Sequence, residues 1–299
     1  MKLQYPLLFV TLLGHQAASA NIDIVFDYQY DSSGYFSGTQ QNVLNAAAEV
    51  FETRLTDSLL GFSSSGSDQF TAKFFNPSNG SAASQSSFSV NANQLIVYVG
   101  AYNLGSTVLG EGGPGGYEVS SASQAFIDIS TSRGQTGALN TPPTDFGPWG
   151  GSLSFNNTTS FYFDNDTTTD ESFTGYDFYS VAVHELGHLL GFGTADSYSN
   201  NINNGVFTGA AVTALTGQNQ PVAGDTYHWQ EGLMYGGQET AMTPSIAANT
   251  RKRFTELDFA ALADIGWQVS AVPEAETWAM LLAGLGLLGW RMRLRAQAA

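Results

Sequence analysis

A histidine and glutamate cluster in the second half of the chain has the spacing of a zinc site. His184, Glu185 and His188 occur in the order His-Glu-x-x-His, and Gly191 follows three residues later. Residues four apart lie on one face of a helix, so the two histidine rings would project toward one point. Glu185 is offset by one residue, so its carboxylate would reach a metal-bound water without ligating the metal. This pattern predicts zinc-dependent hydrolysis with Glu185 as the general base.

The composition restricts the third zinc ligand. A catalytic zinc ion takes three protein ligands and keeps one open position. The chain has no cysteine and only four histidines, and His15 lies in a segment that we expect to be removed. His228, which follows a polar insertion rich in Gly, Asn and Thr, is therefore the favoured third ligand. The alternatives are carboxylates that follow the cluster, namely Asp196, Glu231, Glu239 and Glu256.

The stretch from Asp177 to Gly193 is predicted to form the helix that carries the cluster. Asp177 is a good N-cap, because its carboxylate can accept from a free backbone N–H of the first turn. Apolar residues at helical spacing would bury the helix in a core: Val181, Leu186, Leu189 and Leu190. Gly191 predicts a helix end in the left-handed conformation, after which the chain turns back toward the metal.

The motifs between Tyr176 and Trp267 together resemble the metzincin zinc proteases. His-Glu-x-x-His-x-x-Gly opens the metzincin signature, whose usual third histidine comes three residues after the glycine. Here that position holds Thr194. The leishmanolysin-like branch departs in the same way: a late third histidine follows a long insertion, and a methionine turn and a helix ending in Asp-(Ile/Leu)-Gly-aromatic come next. This chain has the corresponding series His228, Met242-Thr-Pro and Asp264-Ile-Gly-Trp267.

The resemblance implies an α+β fold with a two-lobed, metzincin-like catalytic domain. Its parts would be an N-terminal mixed twisted sheet with helices, an active-site helix, and an irregular C-terminal lobe that ends in a helix. The implied site has zinc on His184, His188 and His228, Glu185 as general base, and Gly191 and Met242 as structural support. Met234 competes for the methionine turn, but Met242 is preferred because Thr-Pro and the terminal helix follow it.

Hydrophobic periodicity predicts the elements that precede the cluster. Apolar runs predict strands at Asn21–Tyr30, Gln69–Phe75, Gln94–Ala101 and Ala125–Ile129. Helical spacing of apolar residues predicts an amphipathic helix over Thr39–Leu60. The glycine-rich segment Leu104–Tyr117 is expected to be irregular, and by the metzincin resemblance it would line the substrate cleft.

An acidic segment from Asp164 to Glu171 lies ahead of the predicted zinc helix. Carboxylates at alternate positions can bind Ca²⁺, so a calcium site is one interpretation. The segment lacks the glycine and the terminal glutamate spacing of an EF-hand loop. We therefore favour a solvated acidic loop over a calcium site.

The two ends of the chain have the composition of targeting segments. Residues 1–20 combine a basic start, a short apolar run and an Ala-Ser-Ala end, which predicts a signal peptide. Residues 271–299 contain Val-Pro-Glu-Ala, a short apolar run and a terminal arginine cluster. This layout resembles the PEP-CTERM sorting signal of Gram-negative bacteria, with Pro-Glu-Ala in place of Pro-Glu-Pro. The zinc metalloprotease catalytic domain would then span residues 21–270.

Charge and composition restrict the possible partners. The chain carries a net charge of -16 at pH 7, which excludes nucleic acid as a partner because phosphate backbones bind basic surfaces. The resemblances imply export to the surface of a Gram-negative bacterium. They also imply a transient membrane tether through the tail and an exosortase-type processing enzyme as partner.

The sequence thus predicts a secreted or surface-tethered zinc endopeptidase. It would bind one catalytic Zn²⁺ and act on a protein or peptide substrate. The alternative is a catalytically silent extracellular matrix or surface-binding protein with a structural zinc site. An intact Glu185 favours the enzyme, because a structural site has no use for a general base.

Overall fold

The protein has a mixed α+β fold built from several small sheets and six α-helices in the residues that the structure describes. The structure is a computed structural model, and it describes residues 21–271 except Asn165, Thr168 and Asp170. The predicted signal peptide, the predicted tail beyond residue 271 and part of the predicted acidic loop lie outside the described residues. Within the described part, no helix has the length and apolar character needed to cross a bilayer.

The elements are numbered in chain order. The strands are β1 Asp23–Asp27, β2 Phe62–Ser63, β3 Gln69–Phe75, β4 Ala82–Gln85, β5 Ser89–Val90, β6 Gln94–Tyr102, β7 Gly110–Pro114, β8 Gly116–Ser120, β9 Gly150–Asn156, β10 Phe161–Tyr162, β11 Tyr176–Asp177, β12 Ile202–Asn203, β13 Val206–Phe207, β14 Gln220–Pro221, β15 Met234–Tyr235 and β16 Gln238–Glu239. The α-helices are α1 Gly38–Glu52, α2 Gln124–Ser132, α3 Phe178–Leu189, α4 Asp196–Ser199, α5 Ala210–Thr216 and α6 Glu256–Asp264, and a 3₁₀ helix spans Thr136–Leu139.

A four-stranded mixed sheet organises the first half of the chain. Its order is β1-β6-β9-β7, with β1, β6 and β9 parallel and β7 antiparallel to β9 at the edge. Alternate residues of a strand face opposite sides of a sheet. Leu95 and Val97 of β6 accordingly pack in the helix-covered core, whereas Tyr98 packs in an aromatic cluster with Phe74 and Trp149. The sheet is therefore buried on both faces.

Several predicted elements are confirmed. The strand predicted at Gln69–Phe75 matches β3. The strand predicted at Asn21–Tyr30 contains β1, and the strand predicted at Gln94–Ala101 matches β6 to within one residue. The predicted terminal helix corresponds to α6, with Gly266 at a φ of 122° after its end. These segments have strong periodicity, so local pattern and tertiary packing agree.

The helix predicted over Thr39–Leu60 is too long, since α1 ends at Glu52. Leu55 and Leu59 are fully buried but lie beyond the helix. Leu55 forms a β-bridge with Val269, and the backbone N–H of Leu59 donates to the side chain of Asn93. Leu55 and Leu59 are apolar because the extended segment after α1 packs on the same core as the helix. Their spacing therefore resembles a continued helix although the helix has ended.

Two other predictions are wrong. Residues 125–129 belong to helix α2 and not to a strand, since the Ser123 side chain caps the helix by accepting from the Phe126 backbone N–H. A short apolar run alone does not separate a strand from a helix. Leu104–Tyr117 is not irregular throughout, because it contains β7 and the start of β8. Pairing with β9 and β3 outweighs the low strand propensity of its glycines.

Asp57 gives the fold a pH-dependent stability. Its side chain is buried and accepts from the Gln268 backbone N–H at 2.9 Å. Burial raises the pKa of Asp57 to about 6, although the bond from Gln268 opposes the rise. A folded-state pKa above the unfolded value means that the folded protein binds more protons, so stability falls as pH rises from about 4 to 6. We expect Asp57→Asn to remove this slope and to raise the unfolding free energy at pH 8 by roughly 1–3 kcal/mol. Denaturant unfolding at pH 4 and pH 8 measures the change in unfolding free energy between the two pH values. An equal change in the parent and in Asp57→Asn would contradict the prediction.

Candidate active site

Helix α3 is fixed in the core at its start and ends where the sequence predicts. The Asp177 side chain caps it, accepting from the Ser180 backbone N–H at 3.2 Å. Arg251 donates to both Asp177 oxygens at 3.0 Å from Nε and Nη2. The helix ends at Leu189, and Gly191 has a φ of 103°, which confirms the predicted glycine turn. The start of the helix is therefore held in one position by its cap and by Arg251.

Three histidine rings converge at one point of this helix. His188 Nε2 lies 3.1 Å from His184 Nε2 and 3.1 Å from His228 Nε2. Tetrahedral coordination with Zn–N bonds near 2.0–2.1 Å separates neighbouring nitrogens by about 3.3 Å. Both distances from His188 Nε2 are close to this value, and the ligand nitrogens of all three rings lie within 4.8 Å of one another, so the cluster could hold a single zinc ion. The long insertion between His188 and His228 folds so that the late histidine reaches the helix.

Each ring is oriented by an acceptor on its other nitrogen. The Nδ1 atoms of His184 and His188 lie 2.8 Å from the carbonyl oxygens of Ala241 and Phe192, and His228 Nδ1 lies 2.8 Å from Asp225 Oδ2. Carbonyl and carboxylate oxygens only accept, so Nδ1 carries the proton in each ring. The three Nε2 atoms face one another, an arrangement that a bound cation stabilises.

Burial keeps the helix histidines neutral. Burial, followed by the charge of neighbouring histidines, lowers the pKa of His184 well below its usual value and that of His188 to about 4. A neutral imidazole is the form that ligates metal. These two rings are therefore already in the metal-binding protonation state at neutral pH.

Glu185 lies beside the histidines in a desolvated position. It is 6% exposed, and burial, followed by the charge of Glu111, raises its pKa to about 8. A divalent cation nearby favours the ionised carboxylate and offsets this rise. A carboxylate poised near neutral pH is suited to general base chemistry.

A cleft of about 640 Å³ opens over the cluster. One side is formed by residues 106–112, which include the start of β7, and the other by residue 241 and residues 243–246. The prediction that the glycine-rich segment lines the cleft therefore agrees with the geometry, although that segment is partly a strand. Val181, Leu109 and Ile246 give the cleft apolar walls.

Met242, not Met234, lies next to the cluster. Met242 is fully buried, and a methyl group built on Gly187 of α3 would lie 2.5 Å from its Sδ. Its carbonyl accepts from the Trp229 backbone N–H at 2.9 Å, which links it to the segment of His228. Met234 is 58% exposed in β15. The geometry agrees with the preference for Met242.

The carboxylate alternatives lie elsewhere or are already paired. Their positions are as follows: Asp196 begins α4, Glu231 accepts from Ser245 Oγ, Glu239 pairs with Lys252 Nζ at 2.9 Å and Glu256 pairs with Arg54 at 2.7 Å. Among the described residues, the three histidines form the only group of three or more side chains arranged to hold a metal ion.

The acidic segment is connected to the start of α3 through Arg251, which also donates to the N-cap Asp177. Asp164 lies 2.6 Å from Arg251 Nη2, and both side chains are buried. The carboxylates of the segment that the structure describes form no metal-binding group. The choice between a solvated acidic loop, which we favoured, and a calcium site is not tested further, because three residues of the segment lie outside the described part.

Lys252 stabilises the cleft wall at Thr243 and Ser245, a role that was not predicted from the sequence. Its ammonium donates to Thr243 Oγ1 and to the Ser245 carbonyl, each at 2.5 Å, and pairs with Glu239 at 2.9 Å. Three acceptors satisfy its three N–H groups. Lys252 therefore orders the segment after Met242 and has no donor left for a substrate.

Asp258 connects the parts of the site, and it too was missed. Its buried carboxylate accepts from Trp229 Nε1 at 2.9 Å and from the Ala241 backbone N–H at 3.1 Å, and it completes a capping box with Thr255. Ala241 holds His184, and Trp229 follows His228. The Thr-x-x-Asp spacing of Thr255 and Asp258 is the signal that could have identified it.

Replacing Asp258 with Ala should destabilise the protein strongly. Ala would leave the indole N–H of Trp229 and backbone donors buried without an acceptor, so we expect a loss of about 3 kcal/mol in unfolding free energy. Asp258→Asn keeps one acceptor oxygen and should lose less. Denaturant unfolding measures both variants, and a loss within 0.5 kcal/mol, about that of an ordinary surface change, would contradict the assigned role.

The comparisons with known proteins identify the tail alone. The PEP-CTERM protein-sorting motif matches residues 271–296. This confirms the predicted sorting signal, which indicates export and surface sorting in Gram-negative bacteria and recognition by an exosortase-type processing enzyme. No curated protein and no solved structure matches the chain. The metzincin resemblance therefore rests on the sequence motifs alone.

Proposed function

We propose that the protein is a zinc-dependent endopeptidase of metzincin type, leishmanolysin-like in its late third histidine. The observation that carries the proposal is the convergence of three histidine Nε2 atoms beside a buried glutamate, at the floor of a cleft. A structural zinc site would close the fourth position with a protein ligand. Among the described residues, no fourth ligand joins the three histidines.

Zinc held by His184, His188 and His228 would supply a Lewis acid for the scissile carbonyl and lower the pKa of a water molecule to about 7. Glu185 takes a proton from the attacking water and passes it to the leaving amine. The hydrogen bonds on Nδ1 keep each ring in one orientation, since Ala241, Phe192 and Asp225 face them.

Peptide cleavage tests the proposal. The purified protein, loaded with zinc, should cut members of a mixed peptide library at internal bonds, and a chelator should abolish the cuts until zinc is restored. Mass spectrometry of the products also reveals the side-chain preference.

The alternative is a silent surface or matrix-binding protein with a structural zinc ion. A folded, zinc-bound parent that cuts no peptide would favour it. One zinc ion per chain together with no cleavage of any peptide would support the silent protein over the enzyme.

A further inference from the structure

Strand β7 passes unusually close to the glutamate of α3. A methyl group built on Gly110 would lie 2.9 Å from Glu185 Oε1, and one built on Gly112 would lie 2.6 Å from the Glu185 backbone oxygen. Atoms in real proteins do not approach a Cβ so closely, so something would have to shift. The two glycines therefore allow the strand to contact the helix at Glu185.

The pairing pattern of β7 shows where its free peptide groups point. The Asn156 backbone N–H donates to Leu109 O, and the Gly115 backbone N–H donates to Gly150 O. Hydrogen-bonded and non-hydrogen-bonded pairs alternate in an antiparallel ladder. The peptide groups of Gly110 and Gly112 therefore point away from β9, toward the open edge of the sheet.

One of these open-edge groups is used by the glutamate. The Gly112 backbone N–H faces the Glu185 carboxylate as a donor, which opposes the rise in the pKa of Glu185. A charge-assisted bond from a backbone N–H has a fixed direction, because the strand itself is fixed by β9. The Gly112 N–H thus fixes one side of the carboxylate. A carboxylate oxygen fits beside the strand only because Gly110 has no side chain.

We propose that β7 positions the general base: the Gly112 N–H orients the Glu185 carboxylate, and the bare Cα atoms of Gly110 and Gly112 keep the space it needs. This inference rests on the proposed peptidase function. Gly110 and Gly112 act through Glu185 and are therefore positioning residues. A misplacement of about 1 Å costs on the order of 100-fold in rate.

Strand β7 contains its own matched control. Gly113 lies in the same strand, and a methyl group built on it meets nothing within 4 Å. Gly110→Ala meets mainly the flexible end of Glu185 and one methyl of Val181, so it should displace the carboxylate with little cost to the fold. Gly112→Ala meets backbone and should also loosen the strand.

The first experiment compares kcat, KM and zinc affinity of the Gly110→Ala and Gly113→Ala variants. We expect kcat of Gly110→Ala to fall about 100-fold, with KM and zinc affinity unchanged, whereas Gly113→Ala retains parent values. A merely structural role would change the melting temperature and leave kcat of the folded enzyme intact. Parent kcat in a folded Gly110→Ala protein would overturn the proposal.

A second experiment needs no activity. Amide hydrogen exchange at Gly112 should be slow in the parent and fast in Glu185→Ala, because that variant removes the acceptor. Protection at Gly112 that survives Glu185→Ala would overturn the proposal even if the protein hydrolyses peptides. An inactive parent with this Glu185-dependent protection would instead refute the peptidase function and leave the contact established.

Discussion

Replacing Glu185 with Gln should abolish peptide hydrolysis and leave zinc binding intact. Gln has nearly the volume of Glu and still offers an oxygen to the Gly112 N–H, but it cannot take a proton from water. General base catalysis contributes roughly 10²–10⁴-fold, so we expect kcat/KM to fall by on the order of 1,000-fold or more. The three histidine nitrogens are unchanged, so zinc content should stay at one ion per chain.

The measurement combines steady-state cleavage of a peptide found in the library with metal analysis of the same samples. Glu118→Gln is the matched control, because it makes the same chemical change on an exposed carboxylate paired with Lys73 on the surface. Glu118→Gln should retain parent activity. A Glu185→Gln protein that cleaves at the parent rate would refute Glu185 as the general base and the mechanism with it.

The centre of the site is predictable from the sequence because its geometry is local. His184, Glu185 and His188 lie on one helix, whose period of 3.6 residues fixes their relative directions. The N-cap at Asp177 and the turn at Gly191 are also local, and the structure has both. Helix geometry alone therefore carries the prediction that two rings converge.

The surroundings of the site are not predictable in the same way, because they come from distant parts of the chain. Asp258 and Lys252 reach the site only after the segment behind Met242 folds back over α3. Asp225 was identifiable in part, since it lies three residues before His228 and a carboxylate near a ligand histidine is a common support. His228 itself was predictable from composition, because the only other remaining histidine, His15, lies in the predicted signal peptide.

The errors in secondary structure have a related cause. The glycines of Leu104–Tyr117 have low strand propensity, so their pattern predicts an irregular segment. In the structure the segment pairs with β9, and Gly110 and Gly112 permit its contact with α3. Glycine at alternate positions of a strand indicates a close approach of backbone to another element, a signal that propensity alone ignores.

Replacing His228 with Ala should weaken zinc binding by on the order of 1,000-fold, since it removes one of three nitrogen ligands from a site whose metal affinity depends on all of them. Competition with a chromophoric chelator measures the affinity. Asp225→Asn tests the support of the same ring and should cost about 10- to 100-fold, because the Nδ1 acceptor becomes neutral.

The same assay decides between the histidine and the carboxylate alternatives. Asp196→Asn and Glu231→Gln should bind zinc as the parent does, because Asp196 begins α4 and Glu231 is hydrogen-bonded to Ser245. Unchanged affinity in a folded His228→Ala protein would refute the histidine assignment. A loss in Asp196→Asn or Glu231→Gln would then identify the true third ligand. Loss in His228→Ala alone would show that a histidine far along the chain completes the site that the helix begins.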